Sequence, residues 1–135
     1  MKRVLYDTNV LLDVTLKREP HVSASAAALD AVGQGQVEGY IAGHAITTLF
    51  YLMQRQLGST KSRGVLSDLL SKMQVAPVTD AGIRQALSGP FKDFEDAVTH
   101  AAAQEAGVSV IVTRNVGDFV KGTIPAVLPD VFRPE

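Results

Sequence analysis

Residues 2–13, KRVLYDTNVLLD, leave little freedom in how this chain can fold. Val4, Leu5 and Tyr6 form a short apolar run without polar alternation, the pattern of a strand covered on both faces in a parallel sheet. The run halts at a carboxylate, Asp7. Thr8 and Asn9 follow, both able to cap a helix, and Val10, Leu11, Leu12, Val14 and Leu16 then recur with helical spacing. A strand that gives way to a helix through an acid places that acid at the carboxyl end of the strand, where open α/β sheets bind their ligands.

The rest of the chain repeats the alternation. After the breaker Arg18-Glu19-Pro20, the spacing predicts a helix from His21 to Val32 with Val22, Ala26, Leu29 and Val32 inward. Val37 to Ala42 reads as a second strand. Gly43 opens a helix carrying Ile46, Leu49, Phe50, Met53 and Leu57. Gly58-Ser59-Thr60 separates it from another with Val65, Leu66, Leu69, Leu70 and Met73 inward, so that the two form a helical hairpin. Val75 to Val78 is the third strand candidate, and Thr79-Asp80 starts a helix over 81–87. Ser88-Gly89-Pro90 interrupts, and a helix from Asp93 to Ala106 buries Phe94, Ala97, Val98, Ala101 and Ala102. Gly107 stands where a helix end favours glycine. Val108 to Val112 is a central strand, and Ile124 to Leu128, between Pro125 and Pro129, suits an edge strand. Strands alternating with helices predict a parallel sheet with helices on both faces, and if the first and fourth strands are neighbours their carboxyl ends share one crevice.

Composition narrows the function. A chain of 135 residues with 46% hydrophobic and 20% charged residues is expected to be one domain, residues 1–135, with a real core. The net charge of −1 gives no global basic field, which leaves only a local patch to attract nucleic acid. The absence of cysteine removes thiolate zinc sites and cysteine nucleophiles. No signal peptide or membrane span is legible, so the expected location is the cytoplasm.

The acids matter most. Taken singly, Asp7 and Asp93 are placed as helix caps, Asp96 suits the helix dipole, and Asp118 after Gly117 suits a turn. Taken together, Asp7 ends the first strand, Asp118 lies beyond the fourth, and Asp93 and Asp96 begin the helix between. Helical spacing of ~100° per residue sets Asp93, Asp96 and His100 on one side, away from the apolar stripe. Carboxylates converging in one crevice repel one another unless a cation offsets them. Oxygen donors without sulfur or clustered histidine favour Mg²⁺ or Mn²⁺, ions that polarise a phosphodiester and activate water.

Asp7-Thr8-Asn9, Phe94-Glu95-Asp96-Ala97, and Val112-Thr113-Arg114-Asn115 with Asp118-Phe119 together resemble a PIN domain, most closely the VapC-type ribonuclease toxins. The resemblance implies a three-layer α/β/α sandwich with about five parallel strands in the order 3-2-1-4-5, and metal-dependent endonuclease activity on RNA. By position, Asp7 and Asp96 would bind the ion directly and Asp118 would be the late acid. Asn115 and Thr113 would fall in the polar cluster after the fourth strand. A homodimer and a small inhibitory antitoxin are the implied partners. One departure is that Thr48 occupies the place of the family's usual glutamate in the third helix. Asp93, one turn from Asp96, is a candidate replacement, and Thr48, Asn115 and Asp93 are assigned to orienting water.

For substrate, Arg114 is the preferred phosphate contact, with Thr113 and Asn9 beside it. Lys17, Arg18, Arg55, Lys61 and Arg63 are either a basic rim or a solvated helix face. His44 and His100 are read as solvated or core-satisfied, and Tyr40, Phe50 and Tyr51 as core. Two rival functions stand beside the nuclease. One is a catalytically weak PIN-fold module that binds RNA or protein. The other is an aspartyl-phosphate phosphotransferase, which lacks a second aspartate at position 9 and a late-strand lysine, with Lys121 the nearest candidate.

Overall fold

The computed structural model describes residues 1–135. In chain order its elements are β1 (Arg3–Tyr6), α1 (Thr8–Thr15), α2 (Val22–Gly33), β2 (Glu38–Ala42), α3 (Gly43–Leu57), α4 (Ser59–Leu70), β3 (Met73–Ala76), α5 (Asp80–Ser88), α6 (Phe94–Glu105), β4 (Val110–Val112), a 3-10 helix at Val116–Phe119, and β5 (Ala126–Val127). The five strands form one sheet in the order β3-β2-β1-β4-β5, every neighbouring pair parallel, with the six helices flanking it.

β1 is central because its side chains suit no other place. Val4, Leu5 and Tyr6 are essentially inaccessible to solvent, as continuous apolar strands in parallel sheets are. Leu5 is in register with Tyr40 on one side and with Ile111 on the other. The Tyr6 hydroxyl, buried with the rest, donates to the Ala28 carbonyl at 2.7 Å and ties α2 to the sheet. β5 is the short edge strand foreseen between the prolines, and receives Ile111 N–H at Pro125 and Thr113 N–H at Val127. Gly107, with φ of +71°, closes α6 in the left-handed conformation that glycine adopts without strain.

Several expectations are corrected. Of the caps the sequence offered for α1, Asp7 is the one used, while Thr8 and Asn9 already lie inside the helix. The inner face of α2 is rotated from the forecast stripe and runs through Ser25, Ala28, Ala31 and Val32. Small residues there let the helix approach closely, and Ser25 has a buried partner described below. β3 begins at Met73, two residues earlier than foreseen, because Met73 pairs with Gly39 on the strand register rather than completing α4. Pro77 can donate no ladder hydrogen bond and the strand stops before it. Phe94 is 48% and Tyr51 58% exposed, and neither joins the core. Phe94 opens α6 in a turn that solvent reaches, whereas the buried stripe begins only at Ala97. No helix is long and apolar enough to cross a membrane.

Gly39 marks the tightest contact between helix and sheet. A Cβ there would meet Val32 Cγ2 at 2.6 Å and Met73 Cε at 3.2 Å. Val32 is β-branched and buried, so it cannot swing aside freely. Gly39→Ala should therefore lower stability by about 1–3 kcal/mol, the usual cost of overpacking, despite the gain in strand propensity. Urea denaturation of the two proteins measures it.

Candidate active site

Asp7 is held by the two central strands. Its N–H donates to Val112 C=O at 2.9 Å, continuing the ladder between β1 and β4 by one residue. Its carboxylate accepts from Thr8 N–H at 2.9 Å through Oδ1 and from the Thr113 hydroxyl at 2.8 Å through Oδ2. Thr113 is fully buried, and its Oγ1 in turn accepts the Asn115 N–H at 3.0 Å. The hydroxyl is thereby oriented, with its proton toward Asp7.

Asp96 stands in the first turn of α6, whose cap is Asp93, accepting from Glu95 N–H at 3.0 Å. Asp118 lies in the 3-10 helix after β4. These elements bring Asp7, Asp93 and Asp118 within electrostatic reach of Asp96, and Asp118 within reach of Asp7. Burial pushes the Asp96 carboxyl up to about 7, and the charges of Asp93, Asp7 and Asp118 push the same way, as does its hydrogen bond to Asp93. Burial also raises Asp7, and Asp118 adds to it. The hydrogen bonds from Thr113 and Thr8 oppose the rise, and so does the nearby His44. The crevice therefore carries more negative charge than its own contacts offset.

His44 proves closer to the acids than its reading as a solvated or core residue allowed. Its Nε2 lies 3.1 Å from Thr99 Oγ1, which gives its own proton to the Glu95 carbonyl at 3.0 Å. The Nε2 is then the donor, and the buried Nδ1 has no partner. The signal was in the sequence, since His44 follows β2 as Asp7 follows β1. Thr48 is half-buried one helical turn beyond it. His100, in contrast, turns away from the acids. Its Nε2 accepts Thr123 N–H at 3.1 Å and Ile124 N–H at 3.3 Å, so it is a core-satisfied histidine.

The sequence reading passed over Asp13. This aspartate on α1 is wholly buried and pairs with Arg114 (Nε at 2.9 Å) and Arg18 (Nη2 at 3.0 Å). Arg114 is thus held by Asp13 in two places, with Nη2 at 3.3 Å, and its Nη1 lies 3.3 Å from His21. Arg18 also donates to the backbone and side-chain oxygens of Asn9 at 3.2 Å. A lone charge among Val10, Leu11 and Leu12 on an apolar helix was the overlooked clue, because such a charge requires a partner. Among the other basic residues, Arg55 stacks over Tyr51 and Arg63 over Phe50, each at 5.8 Å. A groove of about 640 Å³ runs from Asp118, Asn115 and Arg114 along Val127, Leu128 and Val131.

The donors suit a hard divalent cation, since all the acids offer oxygen only. No three of the acids and histidines are grouped so as to hold a metal ion among them. Mg²⁺ and Mn²⁺ sites of one or two direct carboxylates completed by water need no such group.

Comparison with known proteins agrees with this architecture. A family model described as a PIN domain matches residues 3–117. Among solved structures, VapBC2 from Rickettsia felis, bound to a DNA fragment from its promoter, aligns with a TM-score of 0.69 and 13% identity over 93% of this chain and 98% of that one. FitAcB from Neisseria gonorrhoeae aligns at 0.64 and 19% identity, over 96% and 99%. Mycobacterium tuberculosis VapC20, described as a Sarcin-Ricin loop cleaving toxin, aligns at 0.62 and 14% identity, over 80% and 86%. No curated protein matches the sequence significantly.

The electrostatics predict a pH dependence. A carboxyl whose pKa is raised on folding contributes stability below its unfolded value, and that contribution is lost as pH rises through the folded one. For Asp96 the window runs from its ordinary value of 3.8 up to about 7. In metal-free buffer, Asp96→Asn should melt at a higher temperature than the native protein at about pH 8, with the gap closing toward about pH 4. Calorimetric melting across that range checks it.

Proposed function

Because the chain belongs to the PIN domain family, we propose that residues 1–135 form one PIN domain acting as a Mg²⁺- or Mn²⁺-dependent endoribonuclease, the toxin of a cytoplasmic toxin–antitoxin pair. The observation that carries this reading is the convergence of Asp96 with Asp93, Asp7 and Asp118 at the carboxyl end of β1, where burial first and the neighbouring charges second push the Asp96 carboxyl up to about 7. Asp7 and Asp96 would hold the ion directly, with Asp118 as the late acid beside them. When bound, such an ion polarises the phosphodiester and makes water a stronger nucleophile.

The chain's own residues do the rest. Thr113 keeps the Asp7 carboxylate turned into the crevice through its 2.8 Å hydrogen bond. Asn115, Asp93 and Thr48 orient water around the acids. Arg114 and Asn9 face the substrate, Arg114 with the N–H groups that Asp13 and His21 leave free, whereas Thr113, expected beside them, is fully buried and serves Asp7 instead. The VapBC and FitAB relatives support an antitoxin partner, and the loop-cleaving description of VapC20 supports RNA as substrate. A homodimer is the expected assembly.

A weakly catalytic binding module is the second reading. It is favoured by Thr48 in place of the family's glutamate and by the commitment of Arg114 to Asp13. RNA cleavage assays joined to Mn²⁺ calorimetry separate the two. The nuclease should bind Mn²⁺ at millimolar concentrations or below, and Asp96→Asn should lose cleavage by about 10²-fold or more while remaining folded, the scale of removing one transition-state stabiliser. Undiminished cleavage by Asp96→Asn contradicts the assignment. A native protein that binds RNA but neither cleaves it nor takes up Mn²⁺ supports the module.

A further inference from the structure

None of the four acids of the crevice forms a salt bridge, yet in the second turn of α1 an acid is paired twice over. Asp13 uses both of its oxygens. Oδ2 accepts from Ser25 Oγ and Arg114 Nε, each at 2.9 Å, while Oδ1 accepts from Arg18 Nε at 3.2 Å and Arg114 Nη2 at 3.3 Å. The partners come from the turn after α1, from α2 and from the segment leaving β4. A buried ion pair is seldom the most stabilising way to fill such a space, since apolar side chains of equal volume often do as well or better. What the pair does supply is direction, because the planar guanidinium fork fits a carboxylate in one orientation.

The direction matters because of where Arg114 lies in the chain. The last ladder bond of β4 is Thr113 N–H to Val127 C=O at 3.0 Å, and beyond it the backbone leaves the sheet. Arg114 sits between Thr113, whose hydroxyl orients Asp7, and Asn115, whose N–H orients that hydroxyl. Asp118 N–H then bonds to Asn115 C=O at 3.0 Å. Fixing Arg114 fixes both of its neighbours and, through them, Asp7 and the turn that carries Asp118. On the other side Arg18 grips Asn9, two residues past Asp7.

We propose that Asp13 is a positioning residue for the acid crevice: its buried carboxylate clamps Arg114 and Arg18 and so holds Thr113 and Asn115 where they aim Asp7, with Asn9 fixed beside it. The inference rests on the nuclease reading, and its test is built to fail separately. Asp13→Asn preserves shape and removes the charge. Arg114→Lys preserves charge and removes the fork, and it carries the test should Asp13→Asn not fold. Val37→Ala, at the amino end of the sheet, serves as a core variant of lowered stability.

Three quantities are read. Mn²⁺ affinity of the RNA-free protein should fall about 10–100-fold in Asp13→Asn and Arg114→Lys, the usual effect of losing an outer-shell partner, and stay native in Val37→Ala. In metal-free protein the Asn115 amide should exchange faster in the first two variants while Ile111 at the centre of β4 stays protected. At saturating Mn²⁺ and RNA, kcat should fall in Asp13→Asn and stay near native in Val37→Ala. Native Mn²⁺ affinity and native Asn115 protection in a folded Asp13→Asn overturn the proposal, as does uniform loss of protection across the sheet, which marks a purely structural role. If the native protein takes up no Mn²⁺, the nuclease reading fails, and Asn115 exchange alone decides whether Asp13 positions the segment.

Discussion

Repulsion among carboxylates at one end of a parallel sheet is the constraint around which this protein is arranged. Asp7, Asp118 and the pair Asp93 and Asp96 come from three separate stretches of chain, and none of them forms a salt bridge. The backbone pays for their proximity: β1 and β4 are paired up to Tyr6 and Val112, and the ladder extends to Asp7 itself. Helix starts do the remainder, since Asp7 caps α1 and Asp93 caps α6. The capping and functional readings of these acids are therefore not rivals. A cap fixes a carboxylate's position with one oxygen and leaves the other for different work.

Asp13 is the counterpart of that arrangement. One acid, wholly buried, receives two arginines, while four acids at the surface of the crevice receive none. A buried charge without partners would cost several kcal/mol, so its compensation follows from burial alone. An acid at a solvent-facing crevice can be left uncompensated at smaller cost, and it is there that the proposed cation would sit. The distribution of arginines thus separates the buried, paired carboxylate from the acids of the proposed site more clearly than sequence position does.

Much of this was legible in the sequence where local chemistry and global fold agree. The unbroken apolar run at Val4–Tyr6 identified the central strand, Gly107 the end of α6, and the prolines flanking Ala126–Val127 the edge. The convergence of acids followed from placing each at a strand end or helix start. The misses have a common cause, which is pairing across long separations. The face of α2 was misjudged because Ser25 answers Asp13 and Ala28 answers Tyr6, neither of which periodicity records. Met73 was drawn into β3 by its register with Gly39, against a helical pattern that was locally plausible. Arg114 looked like a free cation because its partner lies 101 positions away.

The account stands or falls on a cation between the acids. Anomalous diffraction from a crystal grown with Mn²⁺ is the most direct measurement. An anomalous peak should appear in the crevice beside the carboxylates of Asp7 and Asp96, the residues that would hold the ion. A well-diffracting crystal in millimolar Mn²⁺ with no peak in that crevice, or with its only peak elsewhere, would contradict it.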